Sequence, residues 1–354
     1  MSETTLNYSH RNLKVLPTIL PYNLSELHCN NNELTSLPTL PPDLFVLHCN
    51  NNKLSSLPTL PNGLEELTCY YNLLASLPTL PNSLKILDCG RNRLRSLPTL
   101  PDELSDLYCN NNLLTELPTI LPDSLDQLHC NNNKLSSLPD LPDDLSELHC
   151  NNNKLSSLPD LPDSLEHLDC HHNQLRALPD LQSLSILYCN NNQLTELPNL
   201  PESLEHLDCH HNQLTSLPNL PNNLQKLKLS VYQVVLLNII PEPTFIEIVD
   251  EKEYPTDITD ITLEELYETI NNTITELKPQ LGSRLNLNCP RYKEITRNSK
   301  KLKYIEPKLE SDPKHPLSVV KSYLGGKKSK RKSKRKSKRK SKRKSNKKKR
   351  TTRK

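Results

Sequence analysis

The sequence contains no tryptophan, two phenylalanines and only five glycines, against thirty prolines. So little glycine excludes a phosphate-cradling loop, which needs several glycines within a few residues. Long apolar runs are missing too. The longest, Val234 to Ile240, falls far short of the roughly 20 residues that cross a bilayer as a helix. The opening MSETTLNYSHRN lacks the apolar core of a signal peptide, so the expectation is a chain not secreted by that route and without a membrane span. Acidic residues are absent from residues 327–354, which hold twenty Lys or Arg. That leaves 24 bases against all 41 acids in residues 1–326, a net of −17 hidden beneath an overall +3. Body and tail are therefore not expected to share a partner.

What the chain has instead is leucine at fixed positions. Leu145 to Pro159, LSELHCNNNKLSSLP, nearly duplicates Leu125 to Pro139. The frame Leu-x-x-Leu-x-Cys-x-x-Asn-x-Leu-x-x-Leu-Pro recurs at Cys29, Cys49, Cys69, Cys89, Cys109, Cys130, Cys150, Cys170, Cys189 and Cys209. Its steps are twenty residues, except one of twenty-one and one of nineteen. A fixed period of this size marks a solenoid of leucine-rich-repeat spacing, in which stacked turns bury one another's faces. In Leu24-Ser-Glu-Leu27-His-Cys29, Leu27 and Cys29 point to one side of a short strand, while Glu26 and His28 point to the other. Asn32 follows where the chain leaves the strand, and its amide can donate to and accept from turn backbone. Leu34, Leu37 and Leu40 turn back inward, with Pro38 and Pro41 holding the return extended and free of helix.

Four regions follow. Residues 1–23 form a degenerate first repeat, with Tyr8 in the cysteine position. Residues 24–230 form the solenoid, right-handed and curved, of eleven or twelve turns. Its short parallel strands lie on the concave face and its convex side is polyproline-like. Residues 231–326 form a small mixed α/β cap, with strand over 231–248, Tyr232 in the asparagine position and a helix over 262–278 opened by a Thr262/Glu265 capping box. Residues 327–354 repeat Ser-Lys-Arg-Lys and are read as disordered.

The Leu-Pro-x-Leu-Pro return, as in Leu97-Pro98-Thr99-Leu100-Pro101, resembles the LPX class of leucine-rich repeats. That class is best known from effectors that pathogenic bacteria place inside host cells. The Asn-rich, Cys-bearing repeats and the Lys-Ser-Arg tail also resemble leucine-rich repeat proteins of giant amoeba-infecting DNA viruses. The resemblance covers about residues 6–240 and implies a binding scaffold inside a host cell, in cytoplasm or nucleus, with the virion as an alternative. Some such effectors carry a ubiquitin-ligase domain with a nucleophilic Cys-x-Asp. Here Cys289 is followed by Pro290 and Arg291, so Arg stands where that Asp is needed. No nucleophile–base pair can be assembled elsewhere, and the expectation is a non-enzyme without a cofactor.

The ten frame cysteines form a straight row, which converges on no tetrahedral zinc position and keeps Cβ atoms too far apart for disulfides. They read as small core hydrophobes, with redox sensitivity at exposed ends as the alternative. The outward strand row carries His28, His48, Asp88, Tyr108, His129, His149, Asp169, Tyr188 and Asp208, with His167 and His206 three residues before Cys170 and Cys209. Mixed polar and aromatic residues on a curved sheet suit a protein partner. His149, His167, Asp169 and His171 also share a side, giving a metal- or pH-sensitive patch as an alternative, although nothing in the spacing forces a metal. In the tail, Lys330, Arg331, Lys334, Arg335, Lys338, Arg339, Lys342 and Arg343 would bind nucleic acid through counterion release, with little sequence preference. A nuclear import signal or an anionic membrane surface are other readings of the same charge. The expected protein is a monomer that captures an unidentified protein on its sheet and reaches nucleic acid or the nucleus through its tail. The alternatives are a tail-driven, virion-associated structural protein and a reduced ubiquitin-ligase effector.

Overall fold

The computed structural model describes residues 4–230, Gln233, Phe245–Val249, Asn272, Thr275 and Leu285–Asn288. One parallel sheet runs through them in strict sequence order. Its strands are β1 (Thr4–Asn7), β2 (Leu24–His28), β3 (Val46–His48), β4 (Glu66–Thr68), β5 (Ile86–Asp88), β6 (Asp106–Tyr108), β7 (Gln127–His129), β8 (Glu147–His149), β9 (His167–Asp169), β10 (Ile186–Tyr188), β11 (His206–Asp208) and β12 (Lys226–Ser230). Two more, β13 (Phe245–Val249) and β14 (Leu285–Asn288), extend the same sheet. This is the parallel solenoid of twenty-residue period that the leucine frame predicts. Of the 231–248 stretch, where strand is expected, residues 245–248 are in a strand, while Gln233 lies in a short helical turn. Of the helix expected over 262–278, only Asn272 and Thr275 are described, and both are helical. The rest of that helix, Cys289 and the tail lie outside the described residues.

Each central strand is three residues long, with its leucine buried and its flanking residues half-covered. Leucines pair with leucines along the sheet, as in Leu87–Leu107–Leu128. The cysteine behind each leucine is fully buried as well. All ten are free thiols, and burial pushes them up, Cys29 to about 12. Such thiols stay protonated and unreactive. A thiol-alkylating reagent at pH 8 is therefore expected to leave these ten unmodified in native protein and label all of them in denaturant. Peptide mapping reads the difference, and native labelling across the row would contradict this packing.

Behind the cysteines runs a ladder of buried amides. Asn52 Nδ2 donates to Cys49 O and Cys29 O, each at 3.0 Å, and its Oδ1 accepts from Leu34 N at 3.0 Å. Asn72, Asn92, Asn112, Asn133, Asn153, Asn173, Asn192 and Asn212 repeat the pattern, so that each side chain ties its own turn to the one before. At the end of the ladder the structure departs from the sequence reading, which put Tyr232 in this position. Gln233 takes it, donating from Nε2 to Cys209 O at 3.3 Å and accepting from Ser230 N at 2.7 Å. Its longer side chain reaches the carbonyl from one residue further on.

The residue before each ladder asparagine has positive φ: 56° at Asn31 and 54° at Asn51. Asparagine tolerates this left-handed region better than most residues, which explains the middle member of each Asn-Asn-Asn. The length changes fall in the return, as expected. Ile120, the extra residue of the twenty-one-residue step, is looped outward and 82% exposed, while Leu121 keeps its place in the core. No helix of the described residues is long and apolar enough to cross a membrane.

Candidate binding face

Because residues alternate along a strand, the positions either side of each leucine share the outer face of the sheet. Register then decides which of them meet. His28 lies beside His48, His129 beside His149, Glu147 beside His167 and His149 beside Asp169. Neighbouring strands are only about 4.8 Å apart, so each side chain is covered by those above and below. Alternation along the strand predicts an exposed row. It is instead half-buried, and Asp169 is 8% exposed.

The predicted residues fall into separate groups. His28 and His48 join through their Nδ1 atoms at 2.9 Å, with His28 Nε2 3.2 Å from Glu26 and His48 Nε2 2.7 Å from Glu66. Asp88 accepts from Gly90 N at 3.1 Å, and burial raises its carboxyl above the ordinary value. Tyr108 donates to Gln127 Oε1 at 2.7 Å, and burial, with Asp106 beside it, pushes its phenol up to about 12.

At the centre, rings meet across five strands, mostly edge to face. Centroids are 4.7 Å apart from Tyr108 to His129, 4.2 Å from His129 to His149, 4.8 Å from His149 to His167 and 5.8 Å from His167 to Tyr188. Glu147, which the sequence reading did not single out, sits among the three histidines. Its Oε1 lies 2.6 Å from His149 Nε2, 3.4 Å from His129 Nε2 and 3.7 Å from His167 Nδ1. Burial pushes the Glu147 carboxyl up, but its bond to His149 and the surrounding imidazoles together bring it below the ordinary value. Burial, then the neighbouring His149, lowers both His129 and His167.

Toward the C-terminal end, Asp169 pairs with His171, and Asp208 with His210 and, at 3.6 Å, Lys228. His206 lines an open depression of about 380 Å³ together with Asp169, Tyr188, Asp208, Lys226 and Lys228. In the suspected patch of His149, His167, Asp169 and His171, His171 turns to Asp169, His167 turns to Glu147, and His149 lies between the two carboxylates, with Nε2 on Glu147 and Nδ1 3.9 Å from Asp169 Oδ2.

The repeat itself is shared with known proteins. Residues 163–202 match the family "Leucine Rich repeats (2 copies)". A solved structure of YopM, a leucine-rich effector protein from Yersinia pestis, is 32% identical over 80% of this chain and 88% of its own, with a TM-score of 0.56. YopM from Yersinia enterocolitica WA-314 is 40% identical over 62% of this chain, with a TM-score of 0.57. The chain spans about half of that protein's length, 53%. The octameric complex of Latrophilin 3, Unc5D and FLRT2 (LRR) shares the fold alone, at 18% identity over 81% of this chain and 90% of that one, with a TM-score of 0.51. No curated protein matches the chain.

Proposed function

The chain belongs to the leucine-rich repeat family, and from that membership we propose a non-enzymatic scaffold that captures a protein on its open sheet face. The observation that carries this reading is the unbroken run of rings Tyr108–His129–His149–His167–Tyr188. Aromatic groups held rigid on a half-buried surface are the kind that anchor protein interfaces. Strand residues alone are too few for a full interface. Three-residue strands give a band about 10 Å wide, so a partner covering the usual ~800 Å² must also touch the asparagine turns beside it. The FLRT2 repeat, solved in complex with Latrophilin 3 and Unc5D, supports protein capture as work this fold can do.

The twenty cations of residues 327–354 support a second, separable contact with nucleic acid or a nuclear address, through charge alone. The free thiols support a reducing, intracellular setting. The Cys-bearing repeats and basic tail support a viral source.

Full-length protein is immobilised in host-cell lysate and washed at high salt, which strips polyanions from the tail. The same capture is run with His149→Ser, Asp169→Asn and Tyr188→Ala combined. One protein enriched on wild type and lost from the folded triple variant is the expected result. Equal enrichment on both would move the interface off this face. Nucleic acid retained at low salt and released at high salt reports the tail.

A further inference from the structure

We propose that His129, Glu147 and His149 form a binding site for a divalent transition-metal ion of the zinc class, with His167 on the next strand as a fourth donor. Among the described residues this is the one group of three potential ligands whose donor atoms all lie within 4.8 Å of one another. The register builds it. His129 and His149 are direct partners across β7 and β8, Glu147 and His167 are direct partners across β8 and β9, and Glu147 and His149 share one face of β8. One side chain from β7 and two from β8 thus converge, with a fourth beside them on β9, which the straight row of cysteines behind them cannot do.

The spacing fits. Metal–ligand bonds of about 2.0–2.1 Å in a tetrahedral shell put donor atoms ~3.4 Å apart. Glu147 Oε1 is 3.4 Å from His129 Nε2 and 3.7 Å from His167 Nδ1. The 2.6 Å hydrogen bond to His149 Nε2 has to open by under an ångström as the ion replaces its proton.

Hydrogen bonding alone leaves this patch incomplete. The donor atom His129 Nε2 is buried with no hydrogen-bond partner, a state buried polar atoms rarely keep without a reason. The other histidine groups differ. His28 and His48 have a glutamate each and bond to one another, and His171 and His210 each have their own aspartate. Among the described residues, three imidazoles gather around one carboxylate oxygen only on β7–β9, at Glu147 Oε1, so nitrogen donors are in surplus there. Imidazoles with one carboxylate suit zinc, nickel and copper, whereas calcium and magnesium take oxygen shells. The site stands whether or not the sheet also captures a protein.

Metal-free full-length protein is titrated with zinc sulfate in a calorimeter and compared with a His129→Asn/His149→Asn variant. Wild type is expected to bind one zinc per chain, and the variant to bind it at least about 100-fold more weakly. Glu147→Gln, which removes the one anionic ligand, should weaken it by at least about tenfold, the effect of losing even a carboxylate that only supports a ligand. His28→Asn/His48→Asn should bind as wild type does, and magnesium should neither bind nor compete. The second readout needs no variant. In histidine-labelled wild type, one equivalent of zinc should shift the ring signals of His129 and His149 first. Unchanged affinity in the double variant, first shifts at other histidines, or no stoichiometric zinc binding by wild type would each overturn the site.

Discussion

Replacing Asn112 by aspartate is expected to cost about 4–5 kcal/mol of stability at neutral pH, more than replacing it by alanine, at about 2–3 kcal/mol. Asn112 is 6% exposed. Its Nδ2 donates to Cys89 O at 3.0 Å, Cys109 O at 3.1 Å and Asn110 O at 3.3 Å, and its Oδ1 accepts from Leu94 N at 3.0 Å. Alanine orphans Leu94 N. The two cysteine carbonyls fare better, since each keeps one donor, from Asn92 or Asn133. Aspartate can still accept from Leu94 N, but it turns an anion toward three carbonyl oxygens where a donor is required. Its carboxyl will therefore have a raised pKa in the folded state. A raised folded value makes the contribution to stability full below the unfolded pKa and lost as pH rises through the folded one. The gap between the aspartate and alanine variants should accordingly narrow from pH 7 to pH 5, as the protonated acid recovers one donor. Urea midpoints at both pH values measure this. An aspartate variant as stable as the alanine one at pH 7 would show that the ladder does not depend on its donors.

That ladder was legible from sequence because only a primary amide donates and accepts from one position, and asparagine recurs in the same place in frame after frame. The leucine–cysteine core was legible for a similar reason, since the spacing of Leu27 and Cys29 leaves one face for both. The left-handed residue before each ladder asparagine went unread, although Asn-Asn-Asn is its signal. Tyr71, Arg91, His172 and His211 adopt the same positive φ without being asparagine, so composition at that position is not uniform. Glu147 was missed for a different reason. Grouping His149, His167, Asp169 and His171 used alternation along strands, but the site depends on pairing between them. A shift of one period places His129 beside His149 and Glu147 beside His167, and that arithmetic was available. The covering of the sheet face was not, because it follows from side chains on adjacent strands shading each other. Beyond Ser230 no repeat fixes the register, so nothing in the sequence located β13 and β14 in the same parallel sheet.

Truncating Leu107 to alanine is expected to cost about 3–4 kcal/mol, within the usual range for a buried leucine, and to divide the solenoid. Leu107 is fully buried, as are its register partners Leu87 and Leu128 and its strand neighbour Cys109. A cavity there has little room to collapse. The turns on either side are held at sheet spacing by Cys89 N to Tyr108 O at 2.8 Å and Cys109 N to His129 O at 2.8 Å, and by the amide ladder beneath. Ile120, 82% exposed one return further on, is the control, and its alanine variant should shift stability by under about 0.5 kcal/mol. Position along the stack matters as much as the size of the loss. Each turn touches only its neighbours, so stability is close to a sum of turn and interface terms. A loss at Leu27, one turn from the start, frays an end that is already weakly held. The same loss at Leu107 weakens the joint between two halves that are each long enough to stay folded. Urea unfolding of Leu107→Ala should therefore broaden or split into two steps, with hydrogen exchange accelerating first around β5–β7. Leu27→Ala should keep one transition with exchange confined to β1–β3. If both variants unfold in a single step of equal midpoint, the stack is cooperative along its whole length, and its turns cannot be treated as nearest-neighbour units.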